Sequence, residues 1–118
     1  TQYTRMVERA RGVEARTIWG AIRTNAAATY MTNSNSCTNC TATNVGIGTD
    51  YPGPAAANCT GADYFWYTIT PSATGFTGIA TRCLTGGKAP DGIAPAGTVT
   101  LTTDFSTGTD AWTTSGAY

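Results

Sequence analysis

The first thirty or so residues read as one long helix with a different apolar face in each half. From Thr1 to about Tyr30 no Pro interrupts the chain, and Gly12 and Gly20 are its only weak points. Stepping about 100° per residue around a helix axis brings Tyr3, Met6, Val7, Ala10 and Val13 to one direction. Ala15, Ile18, Trp19, Ile22, Ala26 and Tyr30 gather about 140° away by the same rule. A helix that serves one domain needs only one buried stripe. Two stripes predict two partners: the chain's own body for the second, another molecule for the first. The segment opens without a capping box and starts at once on a periodic stripe, which predicts an upstream portion in the intact protein.

At 118 residues the chain is read as one domain, with a modest core that cross-links would help. Formal charge is zero, but it is unevenly placed. Residues 1–30 carry five Arg against Glu8 and Glu14, whereas the remainder carries Arg82 and Lys88 against five Asp. A basic rod joined to an acidic body suits self-association. Charged residues make up 12% of the chain, about half the usual share. Thr, with 25 copies, takes their place. It favours strands and offers hydroxyls for glycosylation.

Beyond Tyr30 the helical period stops. Residues 32–62 read as a long loop, rich in Asn, Ser, Gly and Pro and containing three of the four Cys. Residues 63–105 read as an antiparallel sheet. Asp63 to Thr70 is aromatic and β-branched and stops at Pro71; Ser72 to Gly75 is a turn; Phe76 to Leu84 returns as the second strand. After a Gly/Pro-rich loop, Thr98 to Phe105 alternates as the third. The tail, 106–118, contains Trp112, read as starting a short fourth strand or plugging the core. The predicted class is α+β: one long helix, with Ile18, Trp19, Ile22 and Ala26 lying on a sheet of three or four strands.

Cys37, Cys40, Cys59 and Cys83 with no His predict two disulfides and an oxidising compartment. Zinc is disfavoured because the second cysteine couple is split by 23 residues. The spacing does not decide among the three pairings. The preferred one joins Cys37 and Cys40 outward to Cys59 and Cys83, pinning the loop to the sheet.

The order of these features resembles a type IV pilin, or a major pseudopilin of type II secretion, without its hydrophobic N-terminus. The resemblance rests on Gln2-Tyr3-Thr4-Arg5, Ala10-Arg11, Glu14-Ala15-Arg16-Thr17 and the hairpin Tyr67 to Thr77, about half the chain. Thr1 stands where that family commonly has Pro, and the family's processing site and assembly-guiding acidic residue are not in this sequence. The resemblance implies an extracellular filament on a bacterial surface, built from copies of this chain by inner-membrane machinery. A hydrophobic helix upstream would hold the subunit in that membrane before assembly. Tyr3, Met6, Val7, Ala10 and Val13 would then face neighbouring helices. The alternatives are a pseudopilus subunit and a surface adhesin or DNA-binding module.

Arg5, Arg9, Arg16 and Arg23 share one flank of the helix. The stripe admits three readings: a solvated face with Glu8 relieving Arg5 and Arg11, pairing with acidic groups on adjacent copies, or DNA phosphate binding. DNA comes last, because the chain is neutral overall and only Trp19 is a nearby aromatic. Asp104 and Asp110, with Thr107, offer a sparse calcium set; a solvated turn is the plainer expectation, and no cofactor is predicted. Nor is an enzyme. There is no His for a nucleophile pair, Glu8 and Glu14 sit apart around the helix, and Gly86-Gly87-Lys88 is followed by Ala89 where a phosphate loop needs Ser or Thr.

Overall fold

The computed structural model describes residues 2–47, 59, 63–88, 90 and 96–118. Helix α1 runs Gln2–Thr32 and is followed by the one-turn helix α2, Ala42–Val45. Four strands then form an antiparallel meander in the order β1 (Phe65–Pro71), β2 (Gly75–Arg82), β3 (Thr98–Asp104) and β4 (Thr109–Ser115). The α+β class is as expected: a long N-terminal helix lies across one face of this sheet.

Helix α1 stops where small polar residues can leave the helical path. Asn33 donates from both its backbone and its side chain to the Thr29 carbonyl, and Ser34 and Asn35 follow at positive φ. Asn is among the few non-glycine residues that visit that region readily. Thr24, Thr29 and Thr32 return their hydroxyls to carbonyls four residues back, so the helix absorbs its own polar groups. Helix α2 starts on a cap in which the Thr41 hydroxyl accepts from the Asn44 N–H, and it ends on left-handed Gly46.

The buried face of α1 is Glu8, Gly12, Ala15, Ile18, Trp19, Ile22 and Ala26. The same side of the rod meets the body along its length. Toward the N-terminus the apolar stripe gives way to a carboxylate and a glycine. Tyr3, Met6, Ala10 and Val13 are exposed and Val7 is half-buried, so the first stripe stays outside the core.

Trp19 anchors the helix to the sheet. It is fully buried, its indole N–H donates to the Val99 carbonyl at 3.2 Å, and its ring meets Tyr67 edge-on at 5.5 Å. Below it lies Gly78 of β2, where a Cβ would come within 2.3 Å of the indole. Strand alternation supplies the other walls: Phe65 and Tyr67 from β1, Phe76 and Ala80 from β2, Val99 and Leu101 from β3.

The structure settles two points. The tail takes the fourth-strand reading and carries the sheet past the expected bound at 105: β4 pairs with β3 in unbroken register, Leu101 faces Trp112, and Trp112 stays 39% exposed and does not plug the core. The disulfides are Cys37–Cys40 and Cys59–Cys83, not outward bonds from the CxxC pair. The physical reason is distance. A turn joins the Cys40 N–H to the Cys37 carbonyl, and the Cys37 N–H bonds to Ala73 at the β1–β2 turn. Cys83 follows the opposite end of β2, an eight-residue strand about 26 Å long at strand rise. A disulfide spans Cα atoms only about 4.4–6.8 Å apart. Much of the predicted 32–62 loop, residues 48–58 and 60–62, lies outside the described residues.

Gly78→Ala should lower stability by about 1–3 kcal/mol, and Trp19→Ala by about 3–5 kcal/mol, in urea unfolding followed by circular dichroism. Unreduced peptide mapping should recover Cys37 and Cys40 in one loop and join Cys59 to Cys83.

Candidate assembly surface

The outward face of α1 presents Tyr3, Met6 and Val13 at 72%, 68% and 58% exposure, with Ala10 between them. Ten residues of helix span about 15 Å. This is a continuous apolar strip with small Ala10 at its middle, where another helix could approach closely. Contiguous exposed apolar patches, unlike singly scattered residues, are a mark of contact sites.

Polar bonds hold the opposite side of this segment to the body. Arg82 at the end of β2 has no exposed side-chain surface. Its Nε and Nη2 donate to the two oxygens of Glu8 at 3.0 and 3.1 Å. Its Nη1 reaches the carbonyls of Tyr64 and Cys83. Tyr118 Oη and Arg11 also donate to Glu8. Burial by itself would push the Glu8 carboxyl up, but hydrogen bonds from Arg82, Tyr118 and Arg11 outweigh it and hold the pKa at about 2. The Tyr118 ring lies against Phe65 edge-on and between two glycines: a Cβ on Gly12 or Gly97 would fall 2.8 or 2.3 Å from it. A buried ion pair of this kind costs more to break than it gained in forming, since removing one partner strands the other.

Tyr64 continues the network. Arg11, Arg82 and Lys88 lie 5.1, 5.3 and 5.2 Å from its ring centre, and its backbone N–H donates to Glu14 at 3.1 Å. Burial pushes the Glu14 carboxyl up, against the bond from Tyr64. Neither Glu8 nor Arg82 stood out in the sequence as a pair. The signals were there: Glu8, Gly12, Ala15, Trp19, Ile22 and Ala26 follow one helical line, and Phe76, Gly78, Ala80 and Arg82 follow one strand face.

The basic stripe splits in two. Arg23 donates to its own chain's Asp110 at 2.9 Å and stacks on Phe105. Arg16 lies over Trp112 at 5.0 Å. Arg5 and Arg9 line an open cleft of about 600 Å³ beside Gly116, Ala117 and Tyr118. Glu8 therefore relieves Arg11 but not Arg5, because it is turned toward Arg82. Asp110 is engaged within its own chain: burial raises its pKa, but Arg23 and Thr103 bring it below the usual range. The Asp104–Asp110 calcium set is not assembled either. Strand register puts Asp110 opposite Thr103 on the helix side, while Asp104 alternates to the other face and accepts from Ser106. Among the described residues no three His, Cys, Asp or Glu side chains are grouped to hold a metal.

Glu8 is more acidic folded than unfolded. Its stabilising contribution is therefore complete above the unfolded value of 4.5 and is lost as pH falls toward 2. Acid unfolding of the native chain should steepen in that window. Glu8→Gln should cost a few kcal/mol at pH 7 and flatten the acid limb, measured by thermal melts across pH.

Comparison with protein-family models, with curated proteins and with solved structures returned no match, so the chain's own geometry carries the functional argument.

Proposed function

We propose that this chain is a structural subunit of an extracellular filament of the type IV pilin kind, assembled from copies of itself. The observation that carries the proposal is the division of labour on α1. Its Glu8–Gly12 side is locked to the body by Arg82 and Tyr118, while Tyr3, Met6 and Val13 on the far side are left to solvent. Solvating that strip has a free-energy cost that contact with a neighbouring helix removes. Repeated head-to-tail with a rotation that does not close, such a contact produces a fibre. In this reading the helix continues upstream into an apolar segment that holds the subunit in the inner membrane until assembly machinery extracts it. The two disulfides keep the body intact outside the cell.

The test replaces Met6 and Val13 by Glu in the full gene product. Both side chains are more than half exposed, so folding and melting temperature should be unchanged. Fibres seen by negative-stain microscopy should disappear, since each buried contact then carries a charge. Fibres of normal yield from the double variant would sink the proposal. Salt-sensitive retention on DNA that is lost when Arg5 and Arg9 become Ala, with no fibre under any condition, would replace it with the binding-module reading.

A further inference from the structure

Strand β4 is one of the two edges of the sheet, and among the described residues no strand pairs with its outer side. All seven of its residues are exposed, including Asp110, Trp112 and Thr114, which alternate toward the helix side. The cause is placement: α1 packs on β2 and β3, so β4 projects past it like an eave. Natural edges are blunted with prolines, bulges or charges because bare N–H and C=O groups template pairing. Of these β4 has only one charge, Asp110, and that is engaged by Arg23; it has no Pro and runs in unbroken register along β3. At its midpoint stands Trp112, 39% exposed.

We infer that β4 pairs antiparallel with β4 of a second copy of this chain, about a two-fold axis through Trp112. The pleat restricts the choice, because directly opposed residues must share a sheet face. A pairing centred on Asp110 sets two carboxylates opposite each other, which is unfavourable. Centring on Ala111 or Thr113 leaves residues at the strand ends unpaired. Centring on Trp112 pairs every residue of the strand: Thr109 with Ser115, Asp110 with Thr114, Ala111 with Thr113, and Trp112 with its own copy. No like charges on the two strands are directly opposed. The strand is its own complement, which is why the occupant is a second copy and not a foreign peptide.

The helices fit as well. With α1 over β2 and β3, each helix axis lies about two strand spacings from the two-fold axis, so the axes are about 19 Å apart. A helix with its side chains is about 10–12 Å wide. The space left between them is the space into which Arg16 reaches over Trp112 and Arg23 reaches to Asp110. The contact buries a Trp112–Trp112 pair flanked by an arginine from each copy. The two-fold axis sets the two helices antiparallel, so this is not the contact that lengthens a polar fibre. It joins free subunits, or subunits of two fibres lying side by side, and does not depend on the fibre proposal.

Sedimentation equilibrium of the whole chain, from micromolar to near-millimolar concentration, should show a monomer–dimer equilibrium. Trp112→Glu places the new carboxylate beside Arg16 in each monomer but sets two carboxylates face to face at the axis. It should leave the melting temperature unchanged and weaken dimerisation by about tenfold or more. Under mild oxidation, Ala111→Cys mixed with Thr113→Cys should form a cross-linked pair much faster than either variant alone. A monomer at every concentration overturns the inference, and so does a dimer that Trp112→Glu leaves intact. Association lost in Met6→Glu/Val13→Glu but kept in Trp112→Glu also overturns it, and that result supports the helix-mediated fibre instead.

Discussion

The contact between Trp19 and Gly78 sets how the helix is seated on the sheet. A fully buried indole rests where β2 has no side chain, and its N–H is satisfied by the Val99 carbonyl of the next strand. One residue thus fixes the helix over β2 and β3, sets its rotation, and supplies the ring around which Tyr67 and Phe76 close. With the rotation fixed, the directions of the remaining α1 side chains follow at about 100° per residue. Glu8 and Gly12 must turn inward, Tyr3, Met6 and Val13 must turn outward, and Arg16 and Arg23 must reach sideways to β4.

The N-terminal half of the helix is attached differently from the C-terminal half. From Ala15 to Ala26 apolar burial against the sheet does the work. Around Glu8 the attachment is ionic and hydrogen-bonded, made to one carboxylate by Arg82 and the Tyr118 hydroxyl, with Arg11 of the same helix as a further donor. Polar attachment is directional. It holds the rod without needing a broad greasy face toward the body, which leaves Tyr3, Met6 and Val13 of that half facing solvent. It also ties three distant parts of the chain together, so the closing tyrosine at residue 118 is part of the platform on which the outward strip is displayed.

The overhang of β4 follows from the same seating. A single helix of about 10–12 Å diameter covers two to three strands at about 4.8 Å spacing. A four-stranded sheet is wider than that. The uncovered strand carries threonines and one tryptophan in place of a hydrophobic inner face. Those side chains tolerate solvent and retain a strong preference for strand pairing.

Much of this architecture was legible in the chain itself. Period 3.6 in residues 1–30 and alternation in Thr98–Asp104 fixed a helix and a strand without reference to anything distant, because periodicity is a local property. The two apolar directions on α1 and the count of two disulfides followed from the same local reading. What escaped was pairing across distance. Glu8 and Arg82 are 74 positions apart; a helix carboxylate near other arginines reads as a surface ion pair until a strand brings a buried guanidinium to it. Arg23 and Asp110 are a match the sequence offers only between adjacent copies, whereas the fold makes it within one chain, across 87 positions. The CxxC closed on itself because its partners lay at the far end of β2, a separation only the folded sheet sets. Local chemistry decided which elements form and which of their faces are apolar. The tertiary structure decided which charges are buried and which strand remains open, since both depend on where one indole finds a glycine to rest on.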